Sequence, residues 1–242
     1  MRPRIAVAEL HLGDTILDES SSHHLARVLR CRAGEIIILF DGCGAEAEAH
    51  ILDAQPRGVH VRVEHITQTD RESPLAITVV QSLCTGDKMD WVIQKSTELG
   101  ASCIVPLAAS RSVLRLDGQR AQRRIEHWQA VAKAASSQSG RSRTPLVTDI
   151  QALGPLLDNW KRAALPRTGW LLDPFATDTL SQSPMARDVT ILIGPEAGWT
   201  DNEEALARDA GFLGIRCGPR ILRTETAACA ILAALAMRCG EF

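Results

Sequence analysis

Two segments of the 242-residue chain combine glycine, proline and charged side chains in an order that can hold a ligand. In the first, the apolar run Ile191-Leu192-Ile193 enters Gly194-Pro195-Glu196-Ala197-Gly198-Trp199, and Thr200-Asp201-Asn202-Glu203 opens a helix with the spacing of a capping box. In the second, Leu213 to Cys217 runs into Gly218-Pro219-Arg220-Ile221-Leu222-Arg223, with Thr224 placed as the N-cap of a last helix and Glu225 in its first turn. Open α/β sheets bind ligands at loops on the carboxyl ends of their strands, where glycine lets a ligand reach the backbone. The first loop alone is equally an ordinary strand-to-helix turn. Two such loops in one third of the chain, with Arg220 and Arg223 flanking the apolar pair Ile221-Leu222, are harder to read that way.

What the chain lacks bounds the chemistry. All seven histidines lie at or before His127, so neither loop has a histidine base nearby in sequence. The seven cysteines, Cys31, Cys43, Cys84, Cys103, Cys217, Cys229 and Cys239, are scattered without CxxC or CxxH spacing, so no metal site is expected. With no apolar signal region after Met1 they read as reduced thiols of a cytoplasmic protein. A net charge of −2 excludes the bulk basicity of a nonspecific nucleic-acid coat. The longest apolar stretch, Ala227 to Met237, has roughly half of the ~20 residues that span a bilayer, so a buried helix and no membrane anchor are expected. Gly42-Cys43-Gly44 lacks a third glycine and a following helix, and fails as a dinucleotide motif.

These loops need elements to carry them. Before residue 70 the pattern is of short strands, Ile36 to Phe40, Ala45 to Leu52 and Val59 to Ile66, which predicts a small β-rich barrel. One helix is expected at His23 to Leu29, capped by hydroxyls of Ser20-Ser21-Ser22. The polar segment Asp70-Arg71-Glu72-Ser73-Pro74 marks a boundary. Beyond it, strands (Leu75 to Gln81, Cys103 to Leu107, near Val147, Trp170 to Leu172, Val189 to Ile193, Leu213 to Cys217) alternate with helices (Asp87 to Leu99, Asp117 to Ser137, Gln151 to Ala163, Thr200 to Ala210, and one from Thr224). Alternation of this kind predicts a mostly parallel α/β sheet.

The two loops, together with His24-Leu25-Ala26-Arg27-Val28-Leu29-Arg30, Phe40-Asp41-Gly42, Lys88-Met89-Asp90, Gln94-Lys95-Ser96-Thr97-Glu98-Leu99-Gly100 and Gln138-Ser139-Gly140-Arg141, resemble the signatures of the RsmE family across nearly the whole chain. Members of that family methylate N3 of one uridine in bacterial 16S ribosomal RNA, using S-adenosylmethionine. One departure is Ala197, where the family usually has a second glycine. The resemblance implies a PUA-like, RNA-binding β-barrel over residues 1–71 and a SPOUT methyltransferase domain over 72–242. The chain beyond about residue 168 would form a deep trefoil knot, a rare exception to unknotted topology.

It also implies a homodimer acting on 16S ribosomal RNA, within the small ribosomal subunit. The cofactor would lie against Leu172-Asp173-Pro174, against Ile193, Gly194, Pro195, Glu196 and Gly198, and against Gly218, Ile221, Leu222, Arg223 and Thr224. Uracil N3 carries a proton at neutral pH, so the site must help remove it or stabilise the anion. A guanidinium suits that task, which assigns catalysis to Arg223, with Glu225 or Glu196 orienting it or taking the proton. A helix-dipole role for Glu225 and a loop-holding role for Glu196 are the alternatives. RNA contacts are expected from Arg2 and Arg4, from Arg27, Arg30 and Arg32, from Lys88, and from Arg141 and Arg143, although each cluster alone also suits a solvated face. A SPOUT enzyme with another RNA target, or a non-catalytic RNA-binding assembly factor, would share part of this pattern.

Overall fold

The computed structural model describes residues 2–69, 71–85, 87–163 and 166–242; Asp70, the first residue of the expected boundary segment, lies outside them. The chain divides into two compact units, one formed by residues up to Glu72 with Ser136–Thr144, the other by Ser73–Ala135 with Pro145–Phe242.

In the first unit, β1 (Arg4–Ala6), β2 (Gly13–Ile16), β3 (Ile36–Phe40), β4 (Ala45–Gln55), β5 (Gly58–Val63) and β6 (Thr67–Gln68) form one sheet. The strand order is β1-β3-β4-β5-β2, with β6 on β4. Only the β1–β3 pair is parallel. Strict alternation along β4 and β5 turns Ala47, Ala49, Ile51, Val59, Val61 and Val63 onto one buried face with Ile37, Leu39 and Leu25. The expected helix begins earlier than the serine run suggested. α1 (Glu19–His23) is capped by Asp18, whose carboxylate accepts from Ser21 N, and the chain continues as a π-helical turn over His24–Val28. A carboxylate two residues upstream outcompetes the serine hydroxyls as a cap because it bears a full charge at the helix N-terminus.

The segment Ser136–Thr144 joins this unit through hydrogen bonds that nothing local in the sequence announced. Gly44 N donates to Ser142 O at 3.1 Å and Thr144 N to Gly42 O at 2.9 Å. The buried guanidinium of Arg141 pairs with Glu72.

In the second unit, β7 (Ala76–Ser82), β8 (Cys103–Ala108), β9 (Leu146–Val147), β10 (Gln151–Ala152), β11 (Thr168–Leu172), β12 (Asp188–Ile193) and β13 (Leu213–Ile215) form an all-parallel sheet. The order is β10-β8-β7-β12-β11-β13, with β9 on β8. One face is covered by α2 (Asp87–Glu98), α3 (Gly118–Ser139) and α6 (Thr224–Arg238), through Met89, Val92, Trp128, Ala132, Ile231 and Leu235 packed on Ile77, Val79, Val189 and Ile191. The other is covered by α4 (Leu153–Arg162) and α5 (Asp201–Asp209), which join Val80, Leu171 and Leu192. Burial on both faces is why these strands are continuous apolar runs. The helix expected from Gln151 starts two residues later, because Gln151 and Ala152 pair with Leu107 and Ala108. Gly100, at φ +89°, ends α2 as expected. No helix among the described residues is long and apolar enough to cross a membrane.

The capping box of α5 is present, and it reaches further than one helix. Glu203 Oε2 accepts from Thr200 N (2.9 Å) and Thr200 Oγ1 (2.8 Å), while Oε1 accepts from Ser110 N (2.8 Å) beyond β8. Burial pushes this carboxyl's pKa up, but the donated bonds from Ser110 and Thr200 outweigh it and hold the pKa below the ordinary glutamate range. A depressed folded pKa stabilises the fold above the ordinary glutamate pKa, and the stabilisation is lost as pH falls through the folded value. Glu203→Gln should therefore cost about 1–3 kcal/mol near neutral pH. Denaturant melts of both proteins across an acid series should show the gap closing as pH falls.

Candidate active site

Because β11, β12 and β13 are parallel neighbours, the loops after them emerge on one side of the sheet. They enclose a cavity of about 620 Å³. Its walls include Leu172, Asp173 and Pro174 after β11, and Ile193, Gly194, Pro195, Glu196 and Gly198 after β12. Ile221, Leu222 and Arg223 ahead of α6, with Thr224 at its start, complete them. Three stretches chosen from sequence thus meet at one place. Gly218, at φ +82°, is absent from the lining and shapes the turn instead. Glu225 is also absent from the lining, with its carboxylate turned toward Lys88.

The lining adds residues without a local sequence signal. Arg111, on the loop after β8, donates to Trp199 O at 2.8 Å and Ala197 O at 3.2 Å, and so braces the loop after β12. Trp199 is buried with its indole against Gly194: a Cβ at Gly194 would lie 3.0 Å from the indole nitrogen, so only glycine fits without displacing the ring. Phe175 is 83% exposed and Ile221 73% exposed. Ala197 is not strained, since the positive φ in this loop falls on Gly198, at +72°, and the only non-glycine residue with positive φ among those described is Arg30. The departure from two glycines therefore costs the backbone nothing.

Charge is concentrated where Lys88, at the start of α2, enters the cavity. Its Nζ lies 3.1 Å from Glu196 Oε1 and 3.7 Å from Glu225 Oε2. The hydrogen bond to Glu196 raises the lysine's pKa above its ordinary value against the opposing effect of desolvation. Lys88, grouped with the RNA contacts in sequence, is thus a member of this cavity and ties a carboxylate on the loop after β12 to one in the first turn of α6. Arg220 and Arg223 are exposed, and among the described residues neither has an ion-pair partner. Thr224 is not the N-cap: Arg223 occupies that position without a side-chain cap bond, and the Thr224 hydroxyl donates to Gly194 O at 2.6 Å.

The first unit's arginines divide by partner. Arg4 is buried, pairs with Glu46 at 3.0 Å and stacks over Phe40. Arg141 is held by Glu72, and Arg2 pairs with Glu48. To reach a phosphate, the buried guanidiniums of Arg4 and Arg141 would first have to leave their carboxylates, which a structural brace explains better. Arg27, Arg30, Arg32 and Arg143 are exposed.

An α/β unit whose cavity lies at the strand ends, joined to a separate β unit, defines the class. A family model described as an RNA methyltransferase domain matches residues 71–236, and one described as an RNA methyltransferase PUA domain matches residues 17–64. The ribosomal RNA small subunit methyltransferase E of Bacillus subtilis is 33% identical over 219 residues, 88% of this chain and 86% of that protein. A Neisseria gonorrhoeae protein of the same name, solved bound to S-adenosyl methionine, superposes with a TM-score of 0.90 at 34% identity, covering 98% of each chain. A Legionella pneumophila protein solved with bound SAM gives 0.91, also at 34% identity and 98% coverage of each chain. The chain belongs to the ribosomal RNA small subunit methyltransferase E family.

Cys84 lies beneath the charged cluster. Burial, then the nearby carboxylates of Glu196 and Glu225, push its thiol up to about 12. Cys43 is exposed. Iodoacetamide at pH 8 should label Cys43 in the native protein and leave Cys84 unmodified until urea is added, as read by peptide mass spectrometry.

Proposed function

We propose that this protein transfers the methyl group of S-adenosylmethionine to N3 of a uridine in 16S ribosomal RNA. The observation that carries the reading is the meeting of three strand-end loops around one cavity whose wall holds the guanidinium of Arg223, without an ion-pair partner among the described residues. The cavity has a volume suited to a ligand of cofactor size. Its donor set fits such a group: backbone atoms at Gly194 to Trp199, apolar Leu172, Ile193 and Leu222, and a glycine where a side chain would displace the Trp199 ring. Among the described residues no cluster of His, Cys, Asp or Glu could hold a metal ion.

When bound, S-adenosylmethionine supplies a methyl group on a sulfonium, which leaves its electron pair on sulfur as the N3–C bond forms. The protein's own residues have two tasks. Arg223 donates to a carbonyl oxygen flanking N3 and stabilises the charge that develops as the N3 proton departs. Glu196, which lines the cavity, takes that proton, and Lys88 holds the Glu196 carboxylate in place beside Glu225.

The PUA-like unit would hold RNA through exposed Arg27, Arg30, Arg32 and Arg143, which offer phosphate contacts without reading sequence. We further propose that its sheet is a small barrel, and that the segment beyond about residue 168 is the trefoil knot of the SPOUT class. The knot is supported by α6, which packs near β12 at the sheet centre although β13, before it, lies at the edge. A homodimer is supported by exposed Ile221, Met237 and Phe242 close to or on the last helix. The assembled small subunit, in the cytoplasm, is the proposed substrate.

Mapping methylation on ribosomal RNA from cells with and without the protein tests the target. Arg223→Ala should lower single-turnover methyl transfer ~10²–10³-fold while leaving cofactor affinity within a few-fold. Arg223→Lys should recover little, because an ammonium cannot reproduce the planar fork. Raising the pH should partly rescue the alanine variant, since more uracil is then already deprotonated. Near-normal turnover in Arg223→Ala would remove the residue from catalysis.

A further inference from the structure

Thr224 and Gln81 form a buried polar contact that the chemistry above does not use. Gln81, at the end of β7, is fully buried, and its Nε2 lies 2.8 Å from Thr224 Oγ1 and 3.1 Å from Ser82 O. Thr224 Oγ1 is 2.6 Å from Gly194 O. The direction of the chain of bonds follows from proton counting. A carbonyl only accepts, so the single hydroxyl proton of Thr224 goes to Gly194, and the hydroxyl must accept from Gln81. The amide therefore faces Thr224 with its nitrogen, and its Oε1 has no partner among the described residues.

We infer that Gln81 is a positioning residue for the cofactor cavity: through the Thr224 hydroxyl it pins the loop ahead of α6 onto the loop after β12. This rests on the methyltransferase reading for the identity of the ligand, but not for the lock itself. Gln81 is the register partner of Ile193 in the paired strands β7 and β12, so the donor is held by the sheet. Gly194 is bonded on one side through its carbonyl and leaves no room for a side chain on the other, where the Trp199 indole lies. The following residue is Pro195, so the Gly194–Pro195 peptide has no N–H of its own to offer a ligand, and its only polar atom is the carbonyl Thr224 occupies. Both cavity walls are thus fixed before a ligand arrives, which removes the cost of ordering them on binding. Thr224 acts inward, on its neighbours, rather than through its side chain on the cofactor.

The test exploits the direction of the bonds. Gln81→Glu can donate to Thr224 while protonated, but as a carboxylate it only accepts, and it then draws the hydroxyl proton away from Gly194. S-adenosylmethionine affinity of folded Gln81→Glu, measured by calorimetry well below its melting temperature, should fall as pH rises, relative to wild type over the same range. Gln81→Met should show a pH-independent loss. Thr224→Val should weaken binding about tenfold to a hundredfold, in line with unsatisfied buried groups, and Thr224→Ser should restore most of it.

A cofactor-free arm separates this lock from the reaction. The indole N–H signal of Trp199, assigned with Trp199→Phe, should shift in Thr224→Val and Gln81→Met and stay in place in Thr224→Ser. If it shifts while wild type binds no S-adenosylmethionine, the lock stands and the methyltransferase reading falls. An unmoved Trp199 signal with affinities within twofold of wild type in both variants overturns the assignment.

Discussion

The second unit depends on β12 lying between β7 and β11 with both faces covered. A strand as apolar as Val189-Thr190-Ile191-Leu192-Ile193 cannot sit at an edge without exposing its side chains, so the chain must return over a hundred residues to insert it beside β7. Everything that makes the cavity follows from that insertion. Parallel pairing sends the ends of β11, β12 and β13 to the same side. Two helical layers then close the faces and leave only the strand ends open to a ligand. The site is thus a by-product of satisfying the strand, and its walls inherit the rigidity of the sheet.

Much of this was legible in the sequence where the signal was local. The Gly-Pro loops, the Thr200 to Glu203 capping box and the stop at Gly100 are written within a few residues of where they act, and each is found in the structure. What was not legible depended on distant partners. Thr224 looked like a helix cap because it precedes an apolar helix, but its hydroxyl is claimed by Gly194, thirty residues earlier, and by Gln81. Arg111 lacks any motif, and only the fold brings its guanidinium to the carbonyls of Ala197 and Trp199. Arg4 and Arg141 looked like surface charge, because the carboxylates that bury them, Glu46 and Glu72, lie 42 and 69 residues away. Gln151 and Ala152 read as helix because a two-residue strand carries too little pattern to be seen.

The charge distribution sorts into two kinds of work. Cations that brace the fold are matched by carboxylates: Arg4 with Glu46, Arg141 with Glu72, Arg208 with Asp173. Among those left exposed are Arg220 and Arg223 in the cavity wall, Arg27, Arg30, Arg32 and Arg143 in the first unit, and Arg120, Arg123 and Arg124 on α3. A protein with a net charge of −2 can therefore still present local positive potential to an anionic polymer, because its acidic residues are spent inside ion pairs or placed elsewhere.

The inclusion of Ser136–Thr144 in the first unit has a consequence for the order in which the molecule is made. As the chain leaves the ribosome, its first 72 residues emerge as a sheet whose Gly42 and Gly44 backbone groups and Glu72 carboxylate still lack their final partners. Those partners arrive only after four further elements, β7, α2, β8 and α3, have been synthesised. The amino-terminal unit is therefore not a free-standing module that folds and waits. Its completion is postponed past the middle of translation, although vectorial synthesis usually favours the first domain.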